Sequence, residues 1–249
     1  MKKIFAAAAA ALMLALTGCT ITSSNHNAMQ DYDFSQIELV QLEPPAEGDT
    51  IAVFDTSYGE IRVKLYEEYA PNTVKAFIER AESGYYDNQV IYGVMSDVYF
   101  LSGGNETENG SYKGRESDAE LVANEYSVNM WPFRGALLSY SEKVGYSDAR
   151  YFIVNTDAEN LTEEAIGKLK ESADKREDET ERKNLNMLFD KFYEVGGVFG
   201  LSGTCTVFGQ TYEGLDVIEK LCAIPASETN RPDKDVYINS VTITTYKSE

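Results

Sequence analysis

Few side chains in this sequence can do acid–base, redox or metal chemistry, and their positions narrow what the chain can be. The one histidine, His26, stands among Ser23, Ser24, Asn25 and Asn27, a polar stretch that favours solvated chain. Imidazole catalysis and His-ligated metal sites are therefore nearly excluded, and neither a metal nor a cofactor is expected. The three cysteines are Cys19, Cys205 and Cys222. Gly103-Gly104-Asn105 lacks the lysine and the helix start that a phosphate loop needs. The 41 acidic residues outnumber 22 basic ones, for a formal charge of −19. Such a surface argues against nucleic acid, which is held by Lys and Arg, and against anionic head groups. It suits the colloidal solubility of an exported protein.

The elements that must position any site begin after a leader. Lys2 and Lys3 precede an apolar run from Ile4 to Leu16, shorter than the roughly 20 residues that span a bilayer. Leu16-Thr17-Gly18-Cys19 resembles a bacterial lipobox, cut before Cys19 and lipidated on that thiol. Two acyl chains anchor stably where one is marginal. The expectation is a lipoprotein signal peptide over 1–18, a lipid anchor at Cys19 and an extracytoplasmic protein held on the bacterial cell membrane. Loss of Lys2 and Lys3 takes the charge from −19 to −21. Residues 19–48 read as a polar tether ending at Pro44-Pro45, with Phe34, Ile37, Leu39, Val40 and Leu42 able to pack its last part on a domain over 49–249.

Within that domain, Ile51–Thr56 and Glu60–Tyr66 flank Ser57-Tyr58-Gly59, a hairpin signal. Ile61, Val63 and Leu65 alternate with Arg62 and Lys64, so one face is buried and the other wet. A helix is predicted from Pro71, with Val74, Phe77, Ile78 and Ala81 as its apolar stripe and Gly84 at its end. The charge-rich segment Leu161 to Tyr193 reads as two helices, with Ser172 to Lys183 as a solvated connection or exposed helix. Strands are expected at Thr204–Gly209 and Val236–Thr245, with a short helix on Leu215, Val217, Ile218 and Leu221. Strands flanking isolated helices fit a barrel with helical caps.

Three segments recur in the order and spacing of one family. Gly84-Tyr85-Tyr86-Asp87-Asn88-Gln89-Val90-Ile91-Tyr92-Gly93-Val94-Met95 resembles the G-Y-Y-D-G-T-x-F-H-R-V-I of cyclophilins, the barrel-type peptidyl-prolyl isomerases. Tyr69-Ala70-Pro71-Asn72-Thr73-Val74-Lys75-Ala76-Phe77 is similar to their E-x-A-P-x-T-V-x-N-F. Thr206-Val207-Phe208-Gly209-Gln210, with Glu213 to Ile218, is similar to H-T-V-F-G-x-V-x-E-G-M-D-V-V. The resemblance runs from Thr50 to Lys247 apart from a helical insert at about 156–197. With its tether and lipobox the chain also resembles the cyclophilin lipoproteins of Gram-positive gut bacteria. The fold so implied is mainly β, a closed eight-stranded antiparallel barrel capped by helices. The partners implied are proline-containing exported polypeptides, bound by a monomer. Cys205 would fall on an active-site strand and Cys222 at a helix end, as two free thiols.

The implied reaction is rotation about an X-Pro amide, whose resonance barrier is about 18–20 kcal/mol. In the family a guanidinium donates to the prolyl nitrogen as conjugation breaks, favouring the twisted transition state over either planar isomer. Gly93 stands where that arginine belongs, and Tyr92 replaces the histidine before it. By the same correspondence Tyr99 and Phe100 overlie the pocket Phe and Met, and Ser102 the Gln. Phe152 keeps the floor phenylalanine beside Arg150, Leu201 is kept, and Cys205 replaces a histidine. Tyr140 falls where the family has a small residue and could plug the groove. Arg150 is the candidate surrogate donor. The other readings are a silent proline-binding module, gripping ligands with Tyr92, Tyr99, Phe100, Tyr140, Tyr151 and Phe152, and a surface lipoprotein interacting through its insert. Gly200, in place of a pocket tryptophan, implies weak or absent cyclosporin binding.

Overall fold

The computed structural model describes residues 28–104 and 117–248. The leader, Cys19, His26 and Asn105 lie outside them. The 51–66 region forms the expected hairpin: β1 (Thr50–Thr56) pairs antiparallel with β2 (Gly59–Leu65), and the Thr56 hydroxyl donates to the Gly59 carbonyl at 2.6 Å across the turn. Helix α1 (Pro71–Glu82) starts at its proline and buries Thr73, Val74, Phe77 and Ala81. Ala70 offers no side-chain cap. The Glu125 carboxylate takes that role from a distant segment, accepting from the Asn72 and Thr73 amides at 3.1 and 2.8 Å.

The remaining strands are β3 (Gln89–Val90), β4 (Gly93–Met95), β5 (Tyr99–Ser102), β6 (Val122–Ala123), β7 (Ala136–Ser139), β8 (Tyr146–Ser147), β9 (Tyr151–Val154), β10 (Val207–Glu213) and β11 (Tyr237–Thr245). β6 and β8 form a separate ribbon, and the other nine make one sheet in the order β3-β11-β1-β2-β10-β7-β9-β5-β4. A closed eight-stranded barrel is therefore not what forms. The sheet is a curled antiparallel half-barrel of nine strands, and no ladder joins its end strands β3 and β4. The reason lies in the backbone between them. The Ile91 amide donates to Val236 at 2.8 Å and the Tyr92 amide to Leu101 at 3.0 Å. These amides are committed to the two opposite edges, so no backbone ladder runs from β3 to β4.

Three clusters fill the interior. One joins Phe54, Ile61 and Val63 to Phe100, Ile153 and Phe208, under α1 and the helix α4 (Leu215–Cys222). A second holds Trp131, Phe133 and Phe199 against the insert, which forms α2 (Glu163–Ala173) and α3 (Glu179–Val195). Thr162 and Asp178 cap these helices through their side chains. The arm from Ala28 to Leu42 makes three short 3-10 turns on this cluster, burying Phe34 and Ile37. Gln41, itself buried, donates to the Trp131 carbonyl and to Gln210 at 2.7 and 2.8 Å and accepts from the Trp131 amide at 2.6 Å. The third cluster, around Leu138, Phe152 and Val154, underlies the site.

Candidate active site

Strand register decides which side chains meet. Gly93 pairs with Leu101, and Leu101 pairs with Phe152, so these three form one row on one face across β4, β5 and β9. Tyr99 stands on the same face, its ring 5.2 Å from that of Phe152. A cleft of about 490 Å3 opens over this row, walled further by Tyr92, Tyr140, Glu142, Arg150, Leu201, Cys205, Thr229 and Asn230. Of the residues expected at the site, Tyr92, Gly93, Tyr99, Tyr140, Arg150, Phe152, Leu201 and Cys205 are brought together. Phe100 and Ser102 are not. They alternate to the opposite face, where Phe100 is fully buried in the main core and the Ser102 hydroxyl donates to the Val90 carbonyl at 3.0 Å. Tyr151 likewise sits in that core. Tyr140 forms part of the wall and leaves the cleft open.

The polar edge is built on Arg150 and Asp148, both buried. The Arg150 amide donates to Asp148 Oδ1 at 2.8 Å, Nε lies 3.1 and 3.2 Å from the two carboxylate oxygens, and Nη2 donates to Oδ2 at 2.7 Å. Nη1 lies 3.8 Å from the exposed Glu142 carboxylate, and the guanidinium sits 5.0 Å over the Tyr140 ring. Burial works to lower the Arg150 pKa, and the Asp148 carboxylate more than offsets this, leaving it above its ordinary value. The Tyr140 amide donates to the Arg150 carbonyl at 2.9 Å and fixes this wall to β9.

Two further walls are short turns. Leu201 ends a 3-10 turn from Phe199. The Thr204 hydroxyl, donating to the Leu201 carbonyl at 2.7 Å, holds Cys205 in place. Burial pushes the Cys205 thiol pKa up, against the thiolate form. Cys205 and Cys222 are both free thiols. Asn230, with φ +63°, offers its carbonyl to the Val94 amide at 2.7 Å and closes the far side. Burial also raises the pKa of the Tyr92 phenol, whose oxygen is enclosed without a hydrogen-bond partner among the described residues. Leu101, Glu142, Thr229 and Asn230 were not anticipated. Leu101 was accessible from two-residue alternation with Tyr99, whereas Thr229 and Asn230 reach the cleft on a loop without periodic pattern.

A nine-stranded curled sheet flanked by helices thus carries an aromatic cleft over its Gly93–Leu101–Phe152 row. The family model "Cyclophilin type peptidyl-prolyl cis-trans isomerase/CLD" matches residues 51–187 and 188–243. The chain belongs to the cyclophilin-type peptidyl-prolyl cis-trans isomerase family. Among curated relatives, a Staphylococcus aureus (strain COL) protein described as "Putative peptidyl-prolyl cis-trans isomerase" is 26% identical over 197 residues, covering 79% of this chain and 93% of its own. A Staphylococcus saprophyticus protein of the same description is 28% identical over 204 residues, covering 82% and 96%. A Cryptosporidium parvum cyclophilin-type isomerase crystal structure superposes with a TM-score of 0.55 at 16% identity, covering 80% of this chain and 99% of that one. A second crystal structure of that protein, in the presence of the dipeptide Ala-Pro, superposes with a TM-score of 0.54 at 17% identity, covering 79% and 99%.

Proposed function

We propose that this protein is a peptidyl-prolyl cis–trans isomerase of exported polypeptides, seating proline on the Leu101–Phe152 row and working with Arg150 as its donor. The observation that carries the reading is the apolar row beneath an open aromatic cleft with one cation, Arg150, among its lining residues. Planar amides are polar through resonance, and the twisted amide loses that charge separation. An apolar floor therefore favours the transition state over either planar isomer. The guanidinium adds a donor at the cleft edge, weakened by its commitment to Asp148.

That same ion pair favours a second reading, a silent module that binds proline segments and does not turn them over. The deciding assay uses the purified full chain in detergent with a proline tetrapeptide, following isomerisation and binding separately. Removing Arg150 alone would leave Asp148 buried and unpaired, at a cost of about 3–5 kcal/mol, so Arg150→Ala is tested together with Asp148→Asn. A slow wild-type rate that falls to the uncatalysed level in the double variant supports Arg150 as donor. A rate unchanged by the double variant removes Arg150 from the mechanism. Binding without turnover in the wild type establishes the second reading. The proposal includes location: the lipobox at Leu16–Cys19 supports an extracytoplasmic protein anchored through Cys19.

A further inference from the structure

Among the described side chains that line the cleft and their ion-pair partners, the charges do not cancel, and the remainder is negative. Of the side chains lining it, Glu142 and Arg150 carry charge. Arg150 is already matched by Asp148, which meets it through two carboxylate oxygens at 2.7–3.2 Å with both residues buried. Glu142 adds a second carboxylate to a guanidinium that needs one. It lies 3.8 Å away with a side chain 67% exposed, so its charge projects into the opening. Lys143, the next residue, is turned aside with its ammonium 4.0 Å from the Tyr146 ring centre. The aromatic wall also suits a cation: the Arg150 guanidinium over Tyr140 demonstrates that geometry, and Tyr92 and Tyr99 present further rings. The chain's net charge of −19 adds an attractive field for positive ligands.

We propose that the cleft selects polypeptides bearing a lysine or arginine beside the proline, with Glu142 as the specificity-determining residue. This rests on the reading of the cleft as a proline site and names the class of segment it takes. A cation next to the proline meets the exposed Glu142 carboxylate, held only at 3.8 Å by an Arg150 already paired with Asp148, and the tyrosine faces, whereas an acidic neighbour meets like charge.

The test measures binding of the full chain in detergent to three labelled peptides that differ only in the residue before proline: Lys, Ala or Glu. An exposed charge pair contributes modestly, and attraction for one peptide adds to repulsion of another. The Lys peptide is expected to bind about tenfold more tightly than the Glu peptide, with Ala between. The gap should shrink in about 0.5 M salt, where screening reaches only a few ångströms. Glu142→Gln should narrow the gap and Glu142→Lys reverse the order. Equal affinity for the three peptides, or a preference untouched by Glu142→Lys, overturns the inference and leaves the proline site standing. Failure to bind any of the three overturns both.

Discussion

Gly93 stands where the family pattern has its arginine and offers no donor side chain. Its backbone is in an ordinary conformation, and a Cβ there would lie 3.0 Å from Leu101 Cδ1, the far end of a flexible side chain. An arginine can therefore be placed without backbone strain, at an overpacking cost of about 1–3 kcal/mol. A well-placed donor to a developing charge is worth about 10²–10³ in rate. Gly93→Arg is accordingly expected to raise the isomerase rate about 100-fold above wild type, with a small fall in melting temperature. A folded Gly93→Arg variant that binds proline peptide yet shows no gain would place the arginine's target outside the cleft. Tyr92, Gly93, Phe152, Leu201 and Cys205, assigned to the site through the resemblance to the family pattern, line one cleft and flank strongly patterned framework segments. Phe100 and Ser102 were misplaced because one extra residue follows Met95 relative to the family pattern, and a one-residue offset in a strand turns every side chain to the other face.

At the scale of elements, the hairpin, α1, α4 and the closing strand were all visible in periodicity, and Pro71 marked its helix start to the residue. Glu125 as the cap of α1 was not visible, since the carboxylate is more than fifty positions from the amides it serves. The role of the insert was equally hidden. Two helices were legible there, but not their partner: α3 carries Leu185, Leu188, Phe189 and Phe192 onto a core shared with the arm. Asn184 donates to the Phe34 and Ser35 carbonyls at 3.1 and 2.9 Å, and the Arg176 guanidinium lies 4.7 Å over the Phe34 ring. The insert thus acts as a holder for the arm. Phe34→Ala should destabilise the protein by about 3–5 kcal/mol in denaturant melts. Trp131, the one tryptophan in the chain, reports directly, because Tyr32 of the arm packs edge-on against it at 6.0 Å. Its emission should shift to the red in Phe34→Ala. An unshifted spectrum with unchanged stability would show that the arm contributes nothing to this core.

For the whole molecule, the arm connects two proposals made from opposite ends of the chain. The Ala28 amide donates to the Gly203 carbonyl at 3.3 Å, and Gly203 lies between Leu201 and Cys205, both in the cleft wall. From Cys19 to Ala28 is 28 − 19 = 9 residues, which span at most about 32 Å at roughly 3.6 Å each. If the thiol of Cys19 carries the lipid, the cleft is held within that distance of the bilayer surface, plus the width of its own wall. A chain that carries −21 once Lys2 and Lys3 are removed is not drawn to anionic head groups, so in that case the acyl chains supply the attachment. The protein would then meet exported polypeptides as they leave the membrane, before they have folded. Energy transfer from Trp131 to an acceptor lipid in reconstituted vesicles checks this geometry. Wild type is expected to show transfer and to incorporate labelled fatty acid, and Cys19→Ala to lose both. Inserting ten Gly/Ser residues after Asn25 should retain the fatty acid while reducing transfer, because a flexible linker lengthens as roughly the square root of its residue number. Full transfer in that insertion variant would mean that something other than the short tether holds the domain down, and the folded surface rather than Cys19 would then be the attachment.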